Sequence, residues 1–314
     1  MKKSKLTDSF SFHSEIRSAL QDNRPVLALE STIIAHGMPY PDNIEFARTA
    51  EAMVRKSGVT PATIAIINGR VHVGLDIEQL EILASSKNVE KIAVRDLAFA
   101  ITQKLTGATT VSATMRLAHL VGIDVFATGG IGGVHRNAET TFDISQDLIE
   151  LSRTPMVVIS AGVKTILDIP KTLEYLETNA VPVVGYGTAE FPAFYSRSSG
   201  IFLTTSCNIP EEVARLFITH RKIGLQSAIL VANPVPKSDE IPKDVIDKYI
   251  DTALKECSEK NILGKKVTPF LLKRVVELTK GQSLKTNIAL ALNNVKVGAQ
   301  IAFALNNLYY YIVL

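Results

Sequence analysis

The chain has 314 residues with a formal net charge of +3; 46% are apolar and 21% charged. That length buries a large core. The small net charge, with acids and bases interleaved, argues against a nucleic-acid partner and for a small-molecule ligand. Only Cys207 and Cys257 occur, too few for a disulfide framework and without metal-ligand spacing, which fits a reducing, cytoplasmic compartment.

Residues 1–23 are polar, carry Asp8 and Glu15, and lack an apolar signal core; an N-terminal extension is expected there. Short, β-branched apolar runs then recur as strand candidates: Val26–Leu29, Thr63–Ile67, Asp124–Ala127, Met156–Ser160, Val181–Val184 and Ser227–Ala232. Helical stripes separate many of them. Asp42 opens one that carries Ile44, Ala47, Ala50 and Val54 and is closed by Gly58; others cover Glu78–Ser85, Met115–Val121, Ile144–Leu151 and Pro170–Glu177. After Pro234 a polar connection leads to helices at about 243–260, 269–280 and 283–307, the last with Leu284, Ile288, Leu292, Val295, Ala299 and Ala302 as its apolar stripe. The alternation predicts an α/β protein, a three-layer α/β/α arrangement with a mixed central sheet and a helical C-terminal layer. A single domain over 24–307 is expected, with a short tail at 308–314. Val297–Leu314 is uncharged for 18 residues, the length of a membrane span. Gln300, Asn306 and Asn307 would be costly in lipid, so a buried terminal helix and no membrane association are expected.

Five places stand out for chemistry. The run Val125–Arg136 holds Gly129, Gly130, Gly132 and Gly133 after a strand, then His135 and Arg136. Glycine-rich backbone beside cationic donors suits an anionic small molecule, although the spacing is neither a P-loop nor Gly-x-Gly-x-x-Gly. Lys164 follows the apolar run from Met156 through a small turn, at a strand's carboxyl end where α/β proteins bind ligands. A lysine there is a phosphate donor or a Schiff-base nucleophile; the plainer alternative is a solvated helix-start lysine. Glu30 ends the strand Val26–Leu29 ahead of another apolar run. Partial burial would raise its pKa and suit general acid–base work, against the alternative of a carboxylate held by backbone N–H groups.

Asp143 and Asp147 lie four apart, the spacing of two carboxylates on one helix face, able to share a hard cation with water; charges complementing a helix N-terminus are the alternative. Thr109, Thr110, Ser112 and Thr114 open a helix as a candidate phosphate cradle, of which a simple N-cap explains one. His13, His72, His119 and His220 have no partner spacing and read as surface or boundary residues.

Taken together, Ala28–Pro39, Gly107–Met115, Phe126–Arg136, Thr141–Ser145 and Ser160–Lys164 resemble the pseudouridine-5′-phosphate glycosidase family, known also as indigoidine synthase A-like. So do Tyr175–Thr178, Val231–Pro236, Thr268–Leu272 and Ser283–Asn287, and the blocks occur in order from about Arg24 to about Asn294. The resemblance implies reversible cleavage of the C–C glycosidic bond of pseudouridine 5′-phosphate to uracil and ribose 5-phosphate, a Schiff-base lysine, an acid–base glutamate, a Mn²⁺ ion and a homotrimer. Residue by residue it puts Lys164 on the nucleophile, Glu30 on the proton donor and Asp143 on the metal ligand. Lys91, Val111, Ser145, Gln146 and Asp147 fall on substrate-contacting positions, and His135 and Asn287 sit in family blocks near the site. Oxygen ligands and water suit Mg²⁺ as well as Mn²⁺. Ala93 and Val94 stand where the family usually carries a further Arg or Ser, so one polar contact is expected to be missing. Two readings remain beside it: an aldolase-like Schiff-base lyase on a sugar phosphate, and a non-catalytic phosphoribosyl-ligand sensor.

Overall fold

The structure, a computed structural model, describes residues 9–262 and 264–313. Residues 1–8 of the expected N-terminal extension, and Leu314, lie outside the described residues. The chain is an α/β protein whose eleven strands pair mostly in parallel. It divides into two compact units, Met1–Ala127 with Gly298–Leu314, and Thr128–Val297.

The first unit runs β1 (Phe10–Phe12), α1 (Ser14–Gln21), β2 (Val26–Leu29), α2 (Thr32–His36), α3 (Asp42–Lys56), β3 (Thr60–Ile67), β4 (Arg70–Val73), α4 (Ile77–Ser85), β5 (Glu90–Ile92), α5 (Leu97–Thr102), β6 (Gly107–Thr109), α6 (Val111–Leu120) and β7 (Val125–Ala127). Its strands order as β1-β4-β3-β2-β7, with β6 also on β3 and β5 on β6. β2 is parallel to β3 and β7, with Leu29 opposite Thr63 and Ala127, so Glu30 leaves the sheet where β2 and β7 end together, while β3 runs on to Ile67. The mixed character comes from β3, antiparallel to β4 and β6. β2 and β3 are buried along their whole length, as continuous apolar strands covered on both faces must be. The segment expected to be an extension contributes structure: β1 pairs with β4, and Ile16 and Ala19 of α1 are buried.

The second unit runs α7 (Ala138–Thr141), α8 (Gln146–Leu151), β8 (Val157–Ser160), α9 (Ile169–Thr178), β9 (Val183–Tyr186), β10 (Ser206–Cys207), α10 (Pro210–Lys222), β11 (Ile229–Ala232), α11 (Lys243–Glu259), α12 (Val267–Leu278) and the start of α13 (Gln282–Val313). The strands are all parallel, in the order β8-β11-β9-β10. Ser160, Ala232 and Gly185 stand abreast at their carboxyl ends.

Helix α13 departs from the expected stripe. Over its first turns the buried positions are Ser283, Thr286, Asn287, Leu290, Ala291 and Asn294, while Leu284, Ile288 and Leu292 are only half-buried. Hydropathy misplaces the face because polar side chains there have interior partners: Thr286 Oγ1 donates to Asp239 C=O at 2.8 Å. The helix is long and apolar enough to cross a membrane by length and composition, yet most of its apolar stretch is buried inside the protein. It runs on to Val313, through the residues expected to form a tail.

Candidate functional site

In the first unit, Glu30 is buried at the end of β2, as the apolar run around it predicts. Ser31 follows and donates its hydroxyl to Ile64 C=O (2.7 Å) while accepting the Thr109 N–H (2.9 Å). Thr109 Oγ1 also donates to Ile64 C=O (2.6 Å), Thr114 Oγ1 donates to Thr109 Oγ1 (2.9 Å), and Thr32 Oγ1 donates to Thr109 C=O (2.7 Å). The threonine-rich segment is therefore first a buried lattice joining β2, β3 and β6. Of the four hydroxyls read as a phosphate cradle, Thr109 and Thr114 point into that lattice, while Thr110 and Ser112 bond each other at 3.0 Å where α6 begins. Val111, the first residue of α6, is buried, and Lys91, in the middle of β5, is half-buried. Beside them stands His36, whose ring burial holds below its ordinary pKa, with Lys91 pulling the same way and the Glu90 backbone opposing. Its Nε2 is buried and has no hydrogen-bond partner among the described residues.

In the second unit, the glycine run works differently from the expectation. Gly130, Gly132 and Gly133 are not in the left-handed region, and the N–H groups of Ile131, Gly132 and Val134 already donate to protein acceptors. A Cβ on Gly132 would overlap Ser145 Oγ and lie 2.8 Å from Asp147 Oδ2. The glycine exists for this close approach: its N–H donates to Asp147 Oδ2 at 2.8 Å, a charge-assisted bond that fixes the carboxylate. The cationic neighbours are engaged too. Arg136 pairs with Asp251 at 3.0 Å, and His135 Nδ1 lies 3.8 Å from Asp143 Oδ2.

Asp143 and Asp147 do not share a helix. Phe142 adopts φ 52° after α7, and Ser145, whose Oγ accepts the Asp147 N–H at 3.2 Å, caps α8 so that the helix begins at Gln146. Asp143 is left in the loop, 42% exposed at its side chain, with its C=O accepting the His135 N–H (3.0 Å). Asp147 is buried; Ser145 and Gln146 are half-buried. Among the described residues no group of three His, Cys, Asp or Glu converges as a metal cage.

Lys164 is half-buried in the turn after β8. That turn is laced to the glycine run: Thr128 N–H donates to Ile159 C=O (3.0 Å), Ala161 N–H to Gly129 C=O (3.0 Å), Ile131 N–H to Gly162 C=O (3.1 Å), and Lys164 N–H to Ile131 C=O (3.2 Å). Gly162, at φ 89°, makes the sharp turn, and a side chain there would strike Pro192 C=O. Asn287 on α13 is 6% exposed, and its Oδ1 has no partner among the described residues, the signature of an acceptor awaiting a donor. Sequence reasoning missed Asn294, wholly buried on the same helix; the signal was an amide lying between the apolar stripe positions Leu292 and Val295.

A family model described as indigoidine synthase A like protein matches residues 15–304. The chain is 52% identical over 297 residues to a pseudouridine-5′-phosphate glycosidase of Staphylococcus aureus, covering 95% of this chain and 97% of that one. It is 55% identical over 288 residues to the enzyme of the same name from Solibacter usitatus, covering 92% and 96%. Among solved structures it is similar to a prealnumycin C-glycosynthase in complex with ribulose 5-phosphate (TM-score 0.89, 36% identity, 96% and 98% covered). It is also similar to an indigoidine synthase A-like protein from Thermotoga maritima (TM-score 0.87, 37% identity, 95% and 96% covered). Identity above one half along nearly the whole of both chains leaves no room for a borrowed domain: the chain belongs to the pseudouridine-5′-phosphate glycosidase family, indigoidine synthase A-like.

Proposed function

We propose that this chain reversibly cleaves the C–C glycosidic bond of pseudouridine 5′-phosphate, giving uracil and ribose 5-phosphate. The observation that carries the reading is Lys164, on a backbone held by four hydrogen bonds between residues 128–131 and 159–164, in a chain 52% identical to a named glycosidase. A solved relative that makes C-glycosides, bound to a pentulose phosphate, supports the same chemistry. In this reading residues 24–307 work as one glycosidase domain.

A C-glycoside lacks a heteroatom leaving group at the anomeric carbon, so the usual two-carboxylate scheme fits poorly. A lysine provides the electron sink instead. Lys164 Nζ bonds to C1′ as the C1′–O4′ bond opens and O4′ takes a proton. Uracil C5 is protonated, with Glu30 moving protons. The C1′–C5 bond then breaks, its electrons are retained by uracil, and the nitrogen lone pair forms the C1′=Nζ iminium. Water hydrolyses the iminium, releasing ribose 5-phosphate and free Lys164. Lys91, Val111, Ser145, Gln146, Asp147, His135 and Asn287 hold the substrate. The phosphate lends binding energy remote from the reacting carbon.

Asp143, half-buried and close to His135, suits a hard cation completed by water and substrate oxygens; Mn²⁺ is proposed, and Mg²⁺ fits the same donors. When bound, the ion neutralises and orients phosphate charge. Assembly as a homotrimer in the cytoplasm completes the proposal.

Release of uracil from pseudouridine 5′-phosphate with Mn²⁺ present tests it. Borohydride should trap a ribose 5-phosphate adduct on the native protein, and Lys164→Ala should lose both adduct and activity. Glu30→Ala should lose turnover yet retain some adduct. An adduct without uracil release would favour an aldolase-like lyase, and binding without either would favour a sensor.

A further inference from the structure

Asn294 is wholly buried in α13, where leucine would cost nothing to desolvate. Its Nδ2 donates to two consecutive backbone carbonyls, Thr128 (2.8 Å) and Gly129 (3.2 Å). Both partners are obligate acceptors, so the amide orientation is fixed: Oδ1 must face the other way. There it accepts from Asn233 Nδ2 at 2.9 Å. Asn233, one residue beyond β11 and also buried, donates its own N–H to Ser160 C=O at 2.8 Å.

These bonds close a ring. Asn294 grips residues 128 and 129; Asn233 grips Ser160; each holds the other. The two gripped segments form the ladder that runs through Ala161–Gly129 and Gly162–Ile131 to its last rung, the Lys164 N–H on Ile131 C=O. The Gly129 carbonyl already accepts the Ala161 N–H, so the amide of Asn294 adds a second bond to a rung of that ladder. A fully satisfied buried network of this kind fixes one arrangement of its members.

We infer that Asn294, with Asn233 as its support, is a positioning residue for the reaction: the pair locks the backbone that carries Lys164, so that Nζ meets the sugar carbon in one register. The inference rests on the reading of Lys164 as the nucleophile. Displacements near 1 Å from a reacting geometry cost about a hundredfold in rate, so the effect should appear in the rate of covalent bond formation and far less in substrate affinity.

The test uses the full-length protein with Mn²⁺. Asn294→Asp keeps the shape and the bond from Asn233 but removes both donors; Asn294→Leu removes all polarity. Each is assayed well below its melting temperature for the single-turnover rate of borohydride-trapped adduct from ribose 5-phosphate, and for KM with pseudouridine 5′-phosphate. Val275→Ala, a buried site on α12, serves as a control of lowered stability. The expected result is adduct formation slowed about tenfold to a hundredfold, with KM nearly unchanged, while Val275→Ala keeps the native rate. If the Asn294 variants do not fold, Asn233→Ala, which leaves the backbone bond to Ser160 in place, should slow the adduct severalfold. Adduct rates within twofold of native in the folded variants, or an equal loss in Val275→Ala, overturn the positioning role alone. No adduct on native protein overturns the Lys164 reading and this inference with it.

Discussion

Replacing Gly132 by alanine tests the meaning assigned to the glycine run. The new methyl would overlap Ser145 Oγ, sit 2.6 Å from Ser145 Cβ and 2.8 Å from Asp147 Oδ2. Carbon contacts relax near 3.5 Å, so Ser145 or the glycine backbone must give way by about 1 Å. Two bonds lie in the path: the Ser145 cap of α8 (3.2 Å) and the Gly132 N–H to Asp147 Oδ2 (2.8 Å). Loss of the cap costs about 1 kcal/mol, weakening a bond to a carboxylate about 1.5–3 kcal/mol, and overpacking about 1–3 kcal/mol. The terms share atoms and do not add, and about 2–3 kcal/mol is expected in all. For a chain of this size that lowers Tm by roughly 3–5 °C. If Ser145 and Asp147 hold the substrate as proposed, KM for pseudouridine 5′-phosphate should rise at least about tenfold, the equivalent of ~1.4 kcal/mol. Differential scanning fluorimetry and initial-rate kinetics read the two effects. Gly132→Ala/Ser145→Gly removes the overlapping atoms and should recover part of the lost Tm. A Gly132→Ala protein with native Tm and native KM would refute the close-approach argument.

Asp143→Asn should raise the Mn²⁺ concentration for half-maximal activity by an order of magnitude; an unchanged metal titration removes Asp143 as the ligand. Asp76 caps α4 in a capping box, accepting the Gln79 N–H at 2.8 Å while Gln79 Oε1 accepts the Asp76 N–H at 3.1 Å. Asp76→Ala should therefore cost about 1 kcal/mol and leave kcat unchanged, whereas a native Tm would count against the box. Burial raises the Glu51 carboxyl above its ordinary pKa, against Thr63 and Arg55, which pull it down. The folded state thus holds this proton more tightly than the unfolded chain does. Its stabilising effect is fully present below the unfolded value, about 4.3, and is lost as pH rises through the folded one. Glu51→Gln lacks this loss, so the Tm difference, variant minus native, should climb as pH rises above about 4.3; a flat or falling difference contradicts the assignment.

Local pattern carried much of the architecture. Continuous apolar runs at Val26–Leu29, Met156–Ser160 and Ser227–Ala232 mark strands because both sheet faces are covered. The 3.6-period stripe marks α3 because Ile44, Ala47, Ala50 and Val54 are all buried; Asp42 is the first residue of the helix, after Pro41 at the N-cap position, and not its cap. Short strands escaped: β5, β6 and β10 have three residues or fewer, too few to establish a period, and β1 is defined only by its pairing with β4. The four-residue spacing of Asp143 and Asp147 promised a shared helix face, but spacing cannot reveal that Ser145 would cap the helix between them.

Within the candidate site, the sequence by itself determined the residue types: a lysine and a glutamate at strand ends, a glycine run, and blocks whose order matches one enzyme family. Only the tertiary structure decided what the glycines do. The Gly132 amide meets the Asp147 carboxylate, the neighbouring Ile131 and Val134 amides meet Gly162 C=O and Thr172 Oγ1, and the missing side chains make room for Ser145, Asp147 and Thr172. It likewise decided which face of α13 is buried. Hydropathy ranks Leu284, Ile288 and Leu292 ahead of Asn287 and Asn294, yet the amides lie inside. The Asn294 amide is stable there because partners converge on it from distant chain, and that convergence is a property of the folded chain that no local window contains.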